Sequence, residues 1–461
     1  MSTAQVLTAA QMRAAEQALF DEGTSVSALM EVAGGGAAEW IRRVAAGRSV
    51  TVLCGPGNNG GDGYVIARLL RAAGNVVSVV APLDPKTDAA MEARRRWDGP
   101  VAQTGADGDV FVDCLFGSGL ARPLVAEHAL LLRDCAARHR YRVAVDVPSG
   151  IASDSGAVLN DRLPPYDLTL ALGAWKFAHW RLPGRALMGQ MRLVPIGIGA
   201  VEGAAEVIQR PHIAPPATTS HKYLRGLLGI VTGAMPGASL LAVAAAQRSG
   251  AGYVKLLARA ADPRAPADVV TETAPLAEAL ADDRIATVLI GPGLGRDGAA
   301  KAMLGEVLRR APALVLDADA LMLLAPNMLP RAVPMLATPH DGELEALCRN
   351  FGVIAEGRQS RAQALAKVTG MVVLAKGPDS IIAAPDGRIA LSTPAPTWLS
   401  VAGTGDVLAG IAASRLCNGA DPFTAACEAV WLHGEAARRA GPALTPSQLA
   451  ERVSEALAAC L

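Results

Sequence analysis

Between residues 401 and 410 the chain reads Val-Ala-Gly-Thr-Gly-Asp-Val-Leu-Ala-Gly. Gly403 and Gly405 lack a side chain, so the backbone there can bend tightly and let a ligand come close. Asp406 opens an apolar run, Val407, Leu408 and Ile411, at helical spacing. Unpaired N–H groups at such a helix start favour an anion. A carboxylate beside them is what phosphoryl transfer to a hydroxyl needs: the N–H groups hold the moving charge while Asp406 takes the proton. A plainer reading fits the same residues, with Thr404 or Asp406 merely capping the helix. Taken alone, the stretch leaves both open.

A second constellation lies near the N-terminus. Gly55-Pro56-Gly57-Asn58-Asn59-Gly60-Gly61-Asp62-Gly63 follows the apolar run Val50–Cys54 and precedes Val65, Ile66, Leu69 and Leu70 at helical spacing. Strand, glycine loop and helix in that order cradle phosphate. The spacing is neither the Rossmann fingerprint nor a Walker loop, which would need a Lys-Ser/Thr pair. Asn58, Asn59 and Asp62 add directional hydrogen bonds beyond what a turn requires. Asp113 with Phe116-Gly117-Ser118-Gly119-Leu120, and Asp146 with Pro148-Ser149-Gly150, stand at the ends of further apolar runs. Asn59, Asp113 and Ser149 offer hard oxygen ligands to a cation. Lys176, just past another run, reads as a solvated loop lysine.

The second half repeats the device. Thr232 to Gly237 precedes a helix expected over 238–248, and Gly291-Pro292-Gly293-Leu294-Gly295 follows an apolar run. Asp317, Pro339-His340 and Lys376-Gly377-Pro378-Asp379-Ser380 end three more. His340 opens a helix, so it reads as a cap or a ligand contact. The 376–380 segment reads as a phosphate-binding loop or as the approach to a β-hairpin over 380–384 and 388–391.

Such groups meet only if parallel strands end side by side. Strands are expected at 50–54, 110–114, 143–147, 167–172 and 190–196, then at 227–231, 252–257, 285–290, 313–316, 336–338 and 371–375. They alternate with helices, of which one is capped by Thr8 and Gln11 and another covers 27–44. An α/β chain of 461 residues exceeds one ordinary core. The proline-rich segment 209–220 reads as a linker, dividing the chain into 1–213 and 214–461. Hydrophobic residues make up 51% but aromatics only 4%, so small aliphatic side chains build the interior. Lys plus Arg and Asp plus Glu number 43 each, which gives no basic footprint for nucleic acid or an acidic membrane. The seven cysteines contain no Cys-x-x-Cys pair, so neither a disulfide framework nor a zinc site is indicated. The N-terminus shows no signal-peptide pattern. Residues 226–247 carry no charge and could span a bilayer by length, but Pro236-Gly237 divides them into strand, turn and helix. A soluble cytoplasmic protein is expected.

The first-half motifs together, Gly-Pro-Gly-Asn-Asn-Gly-Gly-Asp-Gly, Asp113 with Phe-Gly-Ser-Gly-Leu, and Val-Asp-Val-Pro-Ser-Gly-Ile, resemble the NAD(P)H-hydrate epimerases. The resemblance implies a Rossmann-like three-layer domain. It places the hydrated dinucleotide on Asn58, Asn59, Gly60, Gly61 and Asp62 and along Gly117, Ser118, Gly119, Leu120, Ala121, Arg122 and Pro123. It puts Asp146 at the reacting carbon, where it is the candidate for proton transfer, and potassium on Asn59, Asp113 and Ser149. In the second half, Gly-Pro-Gly-Leu-Gly, Leu-Asp-Ala-Asp-Ala-Leu, Thr-Pro-His-Asp-Gly-Glu, Ala-Lys-Gly and Ala-Gly-Thr-Gly-Asp-Val-Leu-Ala-Gly resemble, in order, the ribokinase-like NAD(P)H-hydrate dehydratases. By that likeness Ala238, Gly293, His340 and Asp406 contact the hydrated dinucleotide. Lys376, Gly377, Pro378, Asp379, Ser380 and Gly405 contact ADP, which brings magnesium, and Asp406 is the catalytic base. Together the resemblances imply epimerisation of R and S NADH hydrate and NADPH hydrate, then ADP-dependent dehydration of the S form to NAD(P)H, AMP and phosphate, by a homo-oligomer. The alternative is a ribokinase-like small-molecule kinase fused to a non-catalytic scaffold.

Overall fold

A computed structural model describes residues 4–105, 107–329 and 333–461. The chain forms two compact units, Met1–Glu206 and Val207–Leu461. The segment read as a linker is partly anchored. Ile213 is buried in the second unit's core, and its N–H donates to the Cys460 carbonyl at 2.9 Å.

The first unit contains β1 (Gln5–Leu7), β2 (Val50–Cys54), β3 (Val77–Val80), β4 (Val101–Ala102), β5 (Val110–Cys114), β6 (Tyr141–Val145), β7 (Leu168–Leu172), β8 (Trp175–Lys176), β9 (Gln190–Val194) and β10 (Ala205–Val207). Seven of them form a parallel sheet in the order β4-β3-β2-β5-β6-β7-β9. Strands covered on both faces must be apolar throughout: Val50, Val52 and Cys54 enter one core, Leu53 the opposite one. The result is three layers. With β3 on one side of β2 and β5 on the other, the C-terminal ends of β2 and β5 open a crevice at the switch point. Gly55 keeps it narrow, because a Cβ there would come within 1.7 Å of the Leu115 carbonyl oxygen. Two-thirds of the expected glycine loop is helical: the Asn58–Ala72 helix already starts at Asn58, with Gly57 as its N-cap. Early N–H groups are the ones left free for a ligand. In front of the sheet's first strand, Thr8 and Gln11 make the expected capping box for the Ala9–Asp21 helix.

The second unit adds β11 (Leu227–Val231), β12 (Tyr253–Leu257), β13 (Val270–Glu272), β14 (Ile285–Ile290), β15 (Leu314–Leu316), β16 (Met335–Ala337), β17 (Val372–Ala375), β18 (Ile381–Ala383) and β19 (Ile389–Leu391). Their order is β13-β12-β11-β14-β15-β16-β17-β18-β19, parallel up to β17 and ending in the antiparallel β18–β19 hairpin. Leu228 and Ile230 of β11 face one core, Leu227 and Val231 the other. A switch point again lies between neighbours, here β11 and β14. Residues 226–247 are β11, a turn and most of the Pro236–Arg248 helix. Among the described residues no helix is long and apolar enough to cross a membrane. The Thr404–Cys417 helix packs on the Pro236–Arg248 helix at backbone distance: a Cβ on Gly410 would meet the Ala242 carbonyl oxygen at 2.2 Å.

Candidate functional site

Each unit gathers its polar groups at the C-terminal ends of its strands. In the first, a cavity of about 460 Å³ is lined by Asn58, Asn59, Asp62, Gly117 to Leu120, Asp146 and Lys176, with Arg13 and Glu16 from the Ala9–Asp21 helix. Gly117 marks where these groups converge, since a Cβ there would lie 2.9 Å from Asp146 Oδ2 and 3.2 Å from Asn59 Cγ. Ala121, Arg122 and Pro123 do not line the cavity, nor do Gly60 and Gly61, whose place is under the helix start.

Asp146 follows β6 with φ +67°, a strained value for a residue with a Cβ. Its carboxylate is fully engaged. Oδ1 accepts from the Lys176 ammonium at 2.6 Å and Oδ2 from the Ser118 N–H at 2.8 Å. Burial alone would raise this carboxyl, but the Lys176 charge and these donors hold it below its ordinary range. Lys176 is therefore no solvated lysine: it is 1% exposed and also donates to the Leu172 carbonyl at 2.6 Å. His179 Nε2 lies 2.8 Å from the Asp146 carbonyl oxygen, and burial lowers this imidazole to about 4, so it stays neutral.

Of the three expected cation ligands, Asp113 and Ser149 are bonded to each other. Asp113 Oδ1 accepts from Ser149 Oγ at 2.7 Å, and Oδ2 accepts from the Ser149 N–H at 3.0 Å and Tyr166 Oη at 2.6 Å. Burial raises the Asp113 carboxyl against these donors. Asn59 differs, since both polar atoms of its amide are buried without a partner.

In the second unit the loops after β11, β14, β15, β16 and β17 supply the expected residues in turn. Gly293 and Ala238 adjoin, with 3.1 Å between Ala238 Cβ and a Cβ built on Gly293. The Lys376 ammonium binds Asp317 Oδ1 at 2.6 Å and lies 3.8 Å from Glu343 Oε2. Burial would lower this lysine, but Asp317 and Glu343 outweigh it and raise it. Asp406 stands in the first turn of the Thr404–Cys417 helix, whose N-cap, Gly403, offers no side-chain cap. Neither Thr404 nor Asp406 caps it: Thr404 Oγ1 donates to the Leu399 and Val401 carbonyls, each at 2.9 Å. The Asp406 carboxylate makes no hydrogen bond within the described residues. Burial first, then the Asp317 charge, raises it to about 6 despite Lys376.

His340 does cap. Its Nδ1 accepts from the N–H groups of Gly342 at 3.0 Å and Glu343 at 3.2 Å, and Glu343 Oε2 accepts from the His340 N–H at 2.8 Å. Its ring stays exposed. A cavity of about 480 Å³ is lined by Lys376, Gly377, Pro378, Ser380, Thr404, Gly405, Trp431, His433 and Arg438 among others. Asp379 is not part of this wall, because its carboxylate turns to Arg358. His433 Nε2 lies 3.0 Å from the Thr404 carbonyl oxygen, and burial lowers this ring to about 4. A neutral ring donating there fixes the helix start. Among the described residues no group of three or more His, Cys, Asp or Glu is placed to hold a metal ion.

Glu16 and His433 join these sites without any local sequence signal, and Lys176 had read as a solvated lysine. Asp317 and Glu343 stood in the quoted Leu-Asp-Ala-Asp-Ala-Leu and Thr-Pro-His-Asp-Gly-Glu motifs, which gave their place but no role.

Known proteins align with both halves. A family model described as NAD(P)H-hydrate dehydratase matches residues 228–458, and one described as YjeF-related protein N-terminus matches residues 26–178. The bifunctional NAD(P)H-hydrate repair enzyme Nnr of Salinibacter ruber is 34% identical over 96% of this chain and 93% of its own length. Its counterpart from Escherichia coli is 34% identical over 84% of this chain and 79% of its own. A solved structure, the ADP/ATP-dependent NAD(P)H-hydrate dehydratase from Bacillus subtilis co-crystallised with ATP and Mg2+, is 28% identical over 54% of this chain and 95% of its own, with a TM-score of 0.48.

Proposed function

We propose, from the premise that this chain belongs to the bifunctional NAD(P)H-hydrate repair enzymes, how its two sites divide the work. The first unit interconverts the R and S epimers of NADH and NADPH hydrated at C6 of the nicotinamide ring. The second dehydrates the S epimer at the expense of ADP, leaving AMP and phosphate.

The observation that carries the dehydratase reading is Asp406: an unbonded carboxylate at an uncapped helix start, raised to about 6. A general base works best with its pKa close to the working pH. Asp406 takes the proton of the C6 hydroxyl as that oxygen attacks the terminal phosphoryl group of ADP. The N–H groups at the helix start hold the phosphoryl charge, while Lys376, anchored on Asp317, supplies a fixed positive charge beside it. The C6–O bond of the phosphorylated hydrate then breaks, phosphate leaves, and loss of a ring proton restores the dihydronicotinamide. The cavity bounded by Lys376 to Pro378, Ser380 and Gly405 takes the adenine nucleotide, and Ala238, Gly293 and His340, outside that cavity, take the hydrate. Magnesium supplies charge compensation for the phosphates. Among the described residues no cluster of acidic side chains is placed to cage the ion, so phosphates and water would hold it.

In the first unit the hydrate lies along Asn58, Asn59, Asp62 and Gly117 to Leu120, with Asp146 against the reacting carbon. A carboxylate held ionised by Lys176 favours stabilising a cation at C6 over carrying a proton. Potassium fits Asn59, whose buried amide lacks any partner, with Asp113 and Ser149 completing an oxygen set.

The test offers purified protein a mixture of R and S NADH hydrate with ADP and magnesium and follows recovery of NADH absorbance. Full recovery is expected. Recovery that halts once the S form is spent removes the epimerase assignment, and no recovery with ADP or ATP removes the dehydratase assignment.

A further inference from the structure

Two buried carboxyls face the first-unit cavity with opposite partner sets. Asp146 has both oxygens taken, by Lys176 and by the Ser118 N–H. Asp62, in the second turn of the Asn58–Ala72 helix, is 7% exposed and lines the same cavity, and its carboxylate makes no hydrogen bond within the described residues. Resting on the epimerase reading above, we propose that Asp62 is the proton donor of the epimerisation and Asp146 the fixed anion that receives the resulting cation.

A carboxyl set in a low-dielectric cavity wall, with no hydrogen-bond donor from the protein, favours its neutral form. Burial, and after it the charges of Asp146 and Glu16, push Asp62 well above the carboxylate range, and Lys176 opposes them less. Glu16 is itself raised, by burial first. Arg13 and Lys86 complete the charged groups on the cavity wall. One fold thus keeps one acid protonated and its neighbour ionised, the arrangement that separates a general acid from an electrostatic stabiliser.

The step balances. The Asp62 proton passes to the C6 hydroxyl, and the C6–O bond breaks with its electron pair on oxygen, releasing water. The lone pair of the ring nitrogen forms an N1=C6 double bond, whose positive charge faces the Asp146 carboxylate. Water adds to the opposite face of C6, the double-bond pair returns to nitrogen, and the surplus proton restores Asp62. Nothing is oxidised or reduced.

The test uses the full chain and separates R from S hydrate by chromatography, with no ADP present. Asp62→Asn is expected to lower kcat for epimerisation by about 10²–10⁴-fold, the usual worth of a general acid, with KM changed less than about threefold. A second measurement needs no variant to be active: with 13C-labelled aspartate, wild type at pH 7 should show a carboxyl carbon in its protonated position, and Asp62→Asn should lack it. If Asp62→Asn keeps its kcat, or no aspartate is protonated at pH 7, the assignment of Asp62 is overturned while epimerisation stands. If wild type leaves R hydrate untouched, the epimerase reading itself falls.

Discussion

Each unit sets a lysine 2.6 Å from an aspartate, but on different members of the site. In the first, Lys176 binds Asp146, the residue expected at the reacting carbon, and holds it ionised. In the second, Lys376 binds Asp317, and Asp406 is left without a hydrogen bond, close enough to Asp317 for like charge to raise it. The same ion pair therefore leaves a pinned anion in one place and an unpaired carboxylate in the other. What a buried lysine does to a site depends on which carboxylate it takes out of circulation.

Breaking that contrast at Asp406 should have the largest effect. Asp406→Asn is expected to reduce dehydration at least about 10³-fold, within the range for a lost general base, while R-to-S conversion proceeds at the wild-type rate. Next comes Lys176→Met, which strands Asp146 as an uncompensated buried charge. It should cost about 3–5 kcal/mol of stability, seen in denaturant unfolding of the first unit, and abolish epimerisation with dehydration of S hydrate retained. The pH responses sharpen the comparison further. Dehydration kcat/KM should fall about tenfold per pH unit below about 6, as Asp406 becomes protonated. Stability has opposite signs at the two sites. Asp406 is raised, so its contribution is present below its unfolded value of 3.8 and is lost as pH rises through about 6. Asp146 is lowered, so its contribution is present at neutral pH and is lost as pH falls below 3.8. Asp406→Asn should therefore gain thermal stability over wild type between pH 4 and 7, and Asp146→Asn should not. The smallest stability effect belongs to His340→Ala, which removes a helix cap worth about 1 kcal/mol, a shift of about 2–4 °C in Tm. His340→Asn, which can still cap, should recover it.

Much of both folds was legible because buried parallel strands are continuous apolar runs. β2, β5, β11 and β14 begin and end where the sequence placed them, and the hairpin after Lys376 is present. The glycine loop after β2 was read as longer than it is, since Asn58 and Asn59 sit in helix as readily as in a turn once Gly57 serves as N-cap. The position of Asp406 was legible from local spacing, but its freedom from capping was not. Pairings were hidden for a simple reason: Lys176 finds Asp146 across 30 residues and Lys376 finds Asp317 across 59, and no local pattern encodes such a meeting. Glu16 was hidden likewise, on a helix whose capping box spoke only of where it begins.

The contact at Gly410 has a mechanical consequence. At Gly410 the two helices touch backbone to backbone, with no side chain there to rearrange, so sliding or rolling at that point meets backbone. The helix bearing Asp406 and the helix bearing Ala238 are therefore expected to move as one piece, which would keep the proposed base at a constant distance from one wall of the proposed hydrate site. Whatever opens to admit and release nucleotides must be the loops around this pair, so slowing those loops should limit product release and leave the proton transfer untouched.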